Sequence, residues 1–235
     1  MNTCLGVIFG NRDFFPDHLV GEARQDIVDI FGELDIKAVM LAEDETNLGS
    51  VETYQHAKQC ADLFKSNQDR IEGILVVLPN FGDEKGVADT IKLSGLNVPI
   101  LIQAYPDDPE KFNVEARRDA FCGKISVCNN LRQYGFRYSL TRSHTSDPNS
   151  DAFKTDLQRF IRLCKVVKGL RSVRLGAIGA RPAAFNTVRF SEKLLQAAGI
   201  SVTTVDLSEI LGDAARLSDA HAIKHWLRDL VLTDI

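Results

Sequence analysis

The feature that most constrains the fold of this chain is a series of short segments that are apolar at every position. Between them lie longer segments in which apolar residues recur every three or four positions, the period of a helix with one buried face. Strands that are apolar throughout are buried on both faces, as in parallel sheets covered by helices. The alternation therefore predicts a doubly wound α/β fold. The apolar segments of the first half are Leu5–Phe9, Ala38–Ala42, Ile74–Leu78 and Pro99–Ile102.

The predicted helices and the remaining strands divide the chain into two domains. A flavodoxin-like or Rossmann-like domain is expected over residues 1–168, and residues 169–235 are expected to begin a second α/β domain that is incomplete in this chain. Gly169 is predicted to end a helix that begins near Phe153. The other helices are predicted over 16–31, 51–66, 83–95, 125–133, 185–198 and 217–231, and the other strands over 136–141, 173–178 and 202–205.

Composition argues against several classes of protein. Apolar residues make up 44% of the 235 residues and charged residues 26%, which is typical of a globular protein. The net charge of −4 argues against generic binding to nucleic acid or to an anionic membrane. No apolar run approaches the roughly 18–20 residues of a membrane-spanning helix, and the N-terminus does not resemble a signal peptide. Five widely spaced cysteines argue against a disulfide framework, so we expect a cytoplasmic protein.

The loop after the first predicted strand is the first candidate site. Ligands of open α/β sheets bind beyond the carboxyl ends of the strands, where Gly10–Pro16 is expected to lie. The guanidinium of Arg12 is suited to hold a hydroxyl-rich or anionic ligand. The competing interpretation is local: Arg12 pairs with Asp13 or Asp17, and the two phenylalanines of the loop pack against the sheet.

A second candidate loop, Pro79–Glu84, follows the third predicted strand at the same edge of the sheet. Asn80 is suited to hydrogen-bond a sugar hydroxyl, and Phe81 to lie against the apolar face of a sugar. Gly82 completes this segment. The competing interpretation is a turn that caps the next helix, since Asn and Asp are common there for local reasons.

A third loop, Gly176–Pro182, is glycine-rich and follows a strand predicted in the second domain. A phosphate cradle there would make the chain a nucleotide-using enzyme. The loop lacks both the third glycine of the dinucleotide fingerprint and the Lys-Ser/Thr of a P-loop. Glycines that ease a tight strand-to-helix turn explain the pattern better.

Histidine spacing gives only a weak indication of a metal site. His221 and His225 are four residues apart, as in zinc proteases, but Ala222 replaces the glutamate that those enzymes need. His56 and Cys60 have the same spacing without a third ligand nearby in the sequence. Partly exposed helix positions explain both pairs better than metal binding.

Four segments, taken together, resemble the N-terminal half of the L-fucose/L-arabinose isomerase family. Their order and spacing fit the family. The last segment resembles the opening of the family's second domain. The matching segments are Val7–Pro16, Leu78–Glu84, Phe121–Gly135 and Arg174–Leu211.

The resemblance implies an isomerase that interconverts aldoses and ketoses with a divalent metal, usually Mn²⁺. Family members bind the metal through residues of later regions, so we assign no catalytic residue and no metal ligand to this chain. The resemblance implies a substrate contact for Arg12 and a rim position for Asn80, Phe81 and Gly82. It also implies a homo-oligomer in which neighbouring subunits complete the sites, with a sugar as ligand. A non-catalytic α/β module that binds a small molecule or supports assembly remains the alternative.

Overall fold

A computed structural model describes residues 3–111, 113–216 and 224 of the chain. The chain divides into two compact units, Met1–Lys168 and Gly169–Ile235. Parallel strands flanked by helices form the first unit, which confirms the predicted doubly wound α/β fold.

The first unit is built on a parallel sheet with its most apolar strands in the middle. The sheet order is β2-β1-β4-β5-β6, and β3 pairs with the last two residues of β1. Every residue of β1, β4 and β5 is buried, as expected for strands covered on both faces. The strands are β1 (Cys4–Gly10), β2 (Lys37–Val39), β3 (Ser50–Val51), β4 (Gly73–Leu78), β5 (Ile100–Ala104) and β6 (Ser139–Leu140).

Five helices cover the two faces of this sheet. The α2 helix packs against α3, and α3 against α4, so these three share a layer. Ion pairing of Lys154 with Glu33 joins α5 to α1. The apolar stripe predicted for the first helix is confirmed, because the apolar residues that recur every three or four positions in α1 are buried. The helices are α1 (His18–Glu33), α2 (Tyr54–Ser66), α3 (Glu84–Ser94), α4 (Ala120–Gln133) and α5 (Asp151–Leu170).

The second unit contains a parallel pair, β7 (Arg174–Ile178) and β8 (Ser201–Val205), with α6 (Glu192–Ala197) and α7 (Leu207–Arg216). None of its described residues 169–216 is buried. The helix predicted over 217–231 lies outside the described residues except at position 224.

Several predicted boundaries are wrong for identifiable reasons. The helix expected over 185–198 begins only at Glu192, because the Ser191 side chain accepts a hydrogen bond from the Leu194 amide and caps the helix there. The helix expected to stop at Gly169 continues through Leu170. The strand expected over 136–141 shortens to β6, where Leu140 is exposed. The two-residue β3 and the α7 helix have no counterpart among the predictions.

Two further findings concern the described residues as a whole. No helix among them is long and apolar enough to cross a membrane. All five cysteines are described and carry free thiols.

Candidate functional site

The loops that follow β1 and β4 lie side by side at the carboxyl edge of the sheet, because these two strands pair with each other. Arg12 belongs to the first loop and Phe81 to the second, while Glu84 opens the α3 helix directly after it. We call Arg12, Phe81 and Glu84 the Arg12 rim. The topology thus brings together two candidate segments that are about 70 residues apart in sequence.

Arg12 contacts both other members of the rim. Its Nη2 atom donates to Glu84 Oε2 at 2.6 Å, and its guanidinium carbon lies 4.3 Å from the centre of the Phe81 ring. Its Nε atom is buried and has no hydrogen-bond partner among the described residues. The side chain keeps 27% of its surface exposed, so the guanidinium remains accessible from solvent. The expected local pairing of Arg12 with Asp13 or Asp17 is therefore wrong.

Two buried asparagines hold the loops in register. Asn80 donates through Nδ2 to Asn11 Oδ1 and accepts from the Gly82 amide at 3.1 Å. Asn11 in turn donates to Asp17 Oδ1 at 2.9 Å and to Glu52 Oε1 at 2.5 Å. We call Asn11 and Asn80 the amide clasp. Both side chains are fully buried, and together they tie the ends of β1, β3 and β4.

Asn80 shapes the loop from within the protein. Its amide nitrogen and oxygen each make a hydrogen bond to the neighbouring backbone or side chain, and the side chain is fully buried. Gly82 is buried too, with a positive φ of 60° that suits glycine. Arg12 and Phe81 reach the surface, and substrate contact stays a prediction for Arg12, Asn80, Phe81 and Gly82.

Helix α4 packs directly against the loop that follows β4. A Cβ atom built on Gly123 would collide with the carbonyl oxygen of Phe81, so the helix and the loop are in direct backbone contact. Glycine is the residue that allows two backbones to approach this closely. The position of the Phe81 ring thus depends on the first turn of α4.

The two phenylalanines of the first loop, Phe14 and Phe15, differ in their burial. Phe15 is buried and its ring centre lies 6.1 Å from that of Phe81, whereas Phe14 is 67% exposed. The expectation that both phenylalanines pack against the sheet is therefore wrong for Phe14, whereas Phe15 is buried beside Phe81. An open cleft of about 650 Å³ lies beside Phe14 and is also lined by residues 113–116.

Arg118 is a loop-positioning residue that the sequence did not indicate. Its Nη1 donates to the carbonyl oxygen of Pro79 at 2.9 Å, and its Nη2 pairs with Glu22 of α1 at 3.3 Å. Its guanidinium also lies 4.8 Å from the centre of the Tyr105 ring. Arg118 lies in a charged stretch for which the sequence predicts neither a strand nor a helix. No local pattern therefore marked it as a residue that positions a loop.

Comparison with known protein families bears directly on this site. Residues 6–171 match the family described as the fucose/sulfoquinovose isomerase N-terminal domain. The chain belongs to this family. The predicted resemblance to sugar isomerases is confirmed, and the match includes both loops of the Arg12 rim. A search of curated proteins finds no match to the chain.

The described side chains of this isomerase-family chain do not form a metal centre. Among residues 3–111, 113–216 and 224, no group of three or more His, Cys, Asp or Glu residues lies close enough to hold a metal ion. His56 is partly buried and Cys60 fully buried, and burial raises the pKa of the Cys60 thiol. His221 and His225 lie outside the described residues. The described residues therefore do not fit the Mn²⁺ that the resemblance implies.

The glycine-rich loop of the second unit does not form a phosphate cradle at a helix N-terminus. Gly179 follows β7 with a φ of 74°, but the next α-helix begins only at Glu192. A cradle of the nucleotide-binding type needs helix amide groups directly after the strand. The strand-to-helix turn assumed for the nucleotide interpretation is thus absent from residues 176–191.

Helix α4 also contains a buried lysine that makes two hydrogen bonds. Lys124 follows Gly123 and is 4% exposed, and its Nζ donates to Thr141 Oγ1 and to the His144 carbonyl, each at 2.8 Å. Burial lowers the pKa of Lys124 from 10.5 to about 8, against the opposite influence of Cys128. The lysine holds the segment before α5, and its charge makes that packing sensitive to alkaline pH.

Proposed function

We propose that this chain is the N-terminal part of a metal-dependent aldose–ketose isomerase, in which the Arg12 rim contacts the sugar. The observation that carries the proposal is the family match over residues 6–171, because every element of the rim falls inside it. The carboxyl edge of a parallel sheet is also where α/β proteins bind small ligands.

The geometry of the rim suits a polyhydroxylated ligand. The Arg12 guanidinium offers hydrogen-bond donors, and the Glu84 carboxylate beside it offers acceptors. A buried donor without a partner, such as Arg12 Nε, costs roughly 1–3 kcal/mol. A sugar oxygen that draws the guanidinium into a new hydrogen bond offsets this cost.

Proton transfer between adjacent sugar carbons is assigned to groups outside the described residues. The same holds for the Mn²⁺ ion, since the described side chains do not fit one. The proposal includes a homo-oligomer in which the rim of one subunit borders the site of its neighbour. The contribution of this chain is then binding and orientation of the sugar.

An isomerase screen of the full-length protein tests the proposal. We expect conversion of at least one aldose from a panel that includes L-fucose and L-arabinose, and loss of activity after chelation that Mn²⁺ restores. Sugar binding without conversion, under all metal conditions, would instead favour the non-catalytic binding module.

Replacing Arg12 tests the role of the rim. We expect Arg12→Ala to lower kcat/KM by roughly 10- to 100-fold, because it removes a charge-assisted hydrogen bond worth about 1.5–3 kcal/mol. Arg70→Ala serves as the matched control, since Arg70 precedes β4 at the opposite edge of the sheet. Equal kinetics for the two variants, with folding intact by circular dichroism, would remove Arg12 from the site.

A further inference from the structure

The charge of Arg12 is largely neutralised where it meets the surface. The Glu84 carboxylate lies 2.6 Å from the guanidinium, and the two side chains are exposed to the same degree, 27% and 28%. A ligand that reaches Arg12 therefore also reaches Glu84. The rim presents an ion pair and not a free cation.

The two other arginines beside the rim are also paired. Arg117 binds Asp119, and Arg118 binds Glu22 at 3.3 Å. Each of these cations is thus matched by a carboxylate, as Arg12 is by Glu84. These three arginines near the sheet edge leave no net positive charge for an anionic ligand.

Further carboxylates at the same edge are held by neutral donors. Asp17 and Glu52 accept hydrogen bonds from the Asn11 amide, and Asp83 accepts one from the Gly86 backbone at 2.6 Å. These bonds satisfy the carboxylate oxygens without adding positive charge. These three carboxylates outnumber the one lysine of this segment, Lys85 next to Glu84, so the formal charge around the rim is negative.

We propose that Glu84 makes the Arg12 rim selective for an uncharged sugar and excludes sugars that carry a sulfonate or phosphate group. The family description names one substrate of each kind, since fucose is neutral and sulfoquinovose carries a sulfonate, so membership leaves the class open. The inference rests on the proposed function, and it assigns a specificity-determining role to one residue.

The physical reason is the cost of placing a second anion beside Glu84. Anion sites in proteins use unpaired arginines or several convergent backbone amides. An anionic group at this rim would compete with Glu84 for the same guanidinium and repel its carboxylate, whereas a hydroxyl donates to Glu84 and accepts from Arg12.

Two sugars that differ only by a sulfonate group on C6 provide the test: 6-deoxy-D-glucose and 6-deoxy-6-sulfo-D-glucose. Equilibrium binding to the full-length protein is measured by calorimetry for both, and kcat/KM wherever conversion occurs. We expect the wild type to prefer the neutral sugar at least about tenfold and Glu84→Gln to reduce that preference about tenfold. The amide introduced by Glu84→Gln keeps an oxygen that accepts from Arg12, so the substitution changes charge and little else.

Asp13→Asn is the matched control, because it removes a carboxylate next to Arg12 in sequence from an exposed position. We expect it to change the preference by less than about twofold, since exposed charges are screened. Raising the salt concentration is expected to narrow the wild-type preference, which a purely structural role of Glu84 would not produce.

The outcomes separate this inference from the proposed function. Wild-type protein that isomerises sugars but binds the sulfonated one equally well or better overturns the role of Glu84 and leaves the isomerase proposal standing. Equal shifts in Glu84→Gln and Asp13→Asn overturn it too. Failure to convert any aldose contradicts the isomerase proposal. The calorimetric preference between the neutral and the sulfonated sugar still tests the charge selectivity in that case.

Discussion

The loop after β4 and the glycine-rich loop after β7 both leave the carboxyl end of a parallel strand, yet they are built differently. After β4, Asn80 is fully buried and the Asp83 side chain caps α3 within five residues of the strand end. After β7, residues 179–191 contain no α-helix and no buried side chain. Only the first loop is held from several sides.

The difference shows that a glycine does not by itself fix the course of a loop. Each loop contains one glycine, Gly179 after β7 and Gly82 after β4, but the loop after β4 has neighbours that restrict it: the amide clasp, Arg118 and the first turn of α4. A binding loop needs fixed geometry before it contacts a ligand, because ordering a mobile loop costs free energy. Substitutions in the two regions are therefore expected to differ in their effects.

The largest expected effect comes from adding one methyl group beneath the rim. Gly123→Ala places Cβ against the Phe81 carbonyl, and separating the two backbones is expected to cost about 3 kcal/mol or more. Gly176→Ala in β7 meets nothing within 4 Å and is expected to be neutral or stabilising by about 0.5–1 kcal/mol. Hydrogen exchange read by mass spectrometry measures each unit separately. Similar changes in hydrogen exchange for Gly123→Ala and Gly176→Ala would contradict the expected difference between the two regions.

The next effect comes from opening the amide clasp. Asn80→Ala leaves Asn11 Oδ1 and the Gly82 amide buried without partners, which is expected to cost about 2 kcal/mol. Asn186→Ala, at an exposed position after β7, is the control and is expected to change stability by less than about 0.5 kcal/mol. Denaturant titration gives both values. A neutral Asn80→Ala would mean that the clasp does not hold the loops.

The smallest effect, when taken per pH unit, is a pH dependence from Lys124. Its pKa in the folded protein, about 8, lies below its ordinary value of 10.5, so the unfolded chain binds more protons between these values. Stability is therefore expected to rise with pH across this window, by at most about 1.4 kcal/mol per pH unit, and this slope is expected to vanish below pH 8. Lys124→Met should flatten the curve, whereas Lys193→Met on α6 should not. An unchanged slope in Lys124→Met would contradict this origin.

Much of the first unit could be predicted because its two central strands, β1 and β4, carry no charged or amide side chain. The runs Leu5–Phe9 and Ile74–Leu78 left few alternatives to buried strands. The pairing of these strands follows from the topology rules of parallel sheets. Prediction was weaker where local capping competes with helix propensity, as at Ser191. A strand of two residues, such as β3, leaves no periodic signal at all.

The candidate site was predictable in part. Arg12 and Phe81 could be placed at one edge, since both follow strands that end there. Their partner Glu84 was hidden, because an acidic residue in the first turn of a helix is already explained by the helix dipole. The burial of Asn80 could not be predicted, since a sequence does not show whether an amide after a strand points inward or outward.

The close approach at Gly123 has a consequence for recognising relatives of this protein. Any side chain at position 123 forces the backbone at Phe81 to move. The distance between the Phe81 ring and the Arg12 guanidinium then changes too. A homologue that lacks this glycine has to place its aromatic group differently. One residue within α4, far from both loops in sequence, thus marks which homologues can inherit this arrangement.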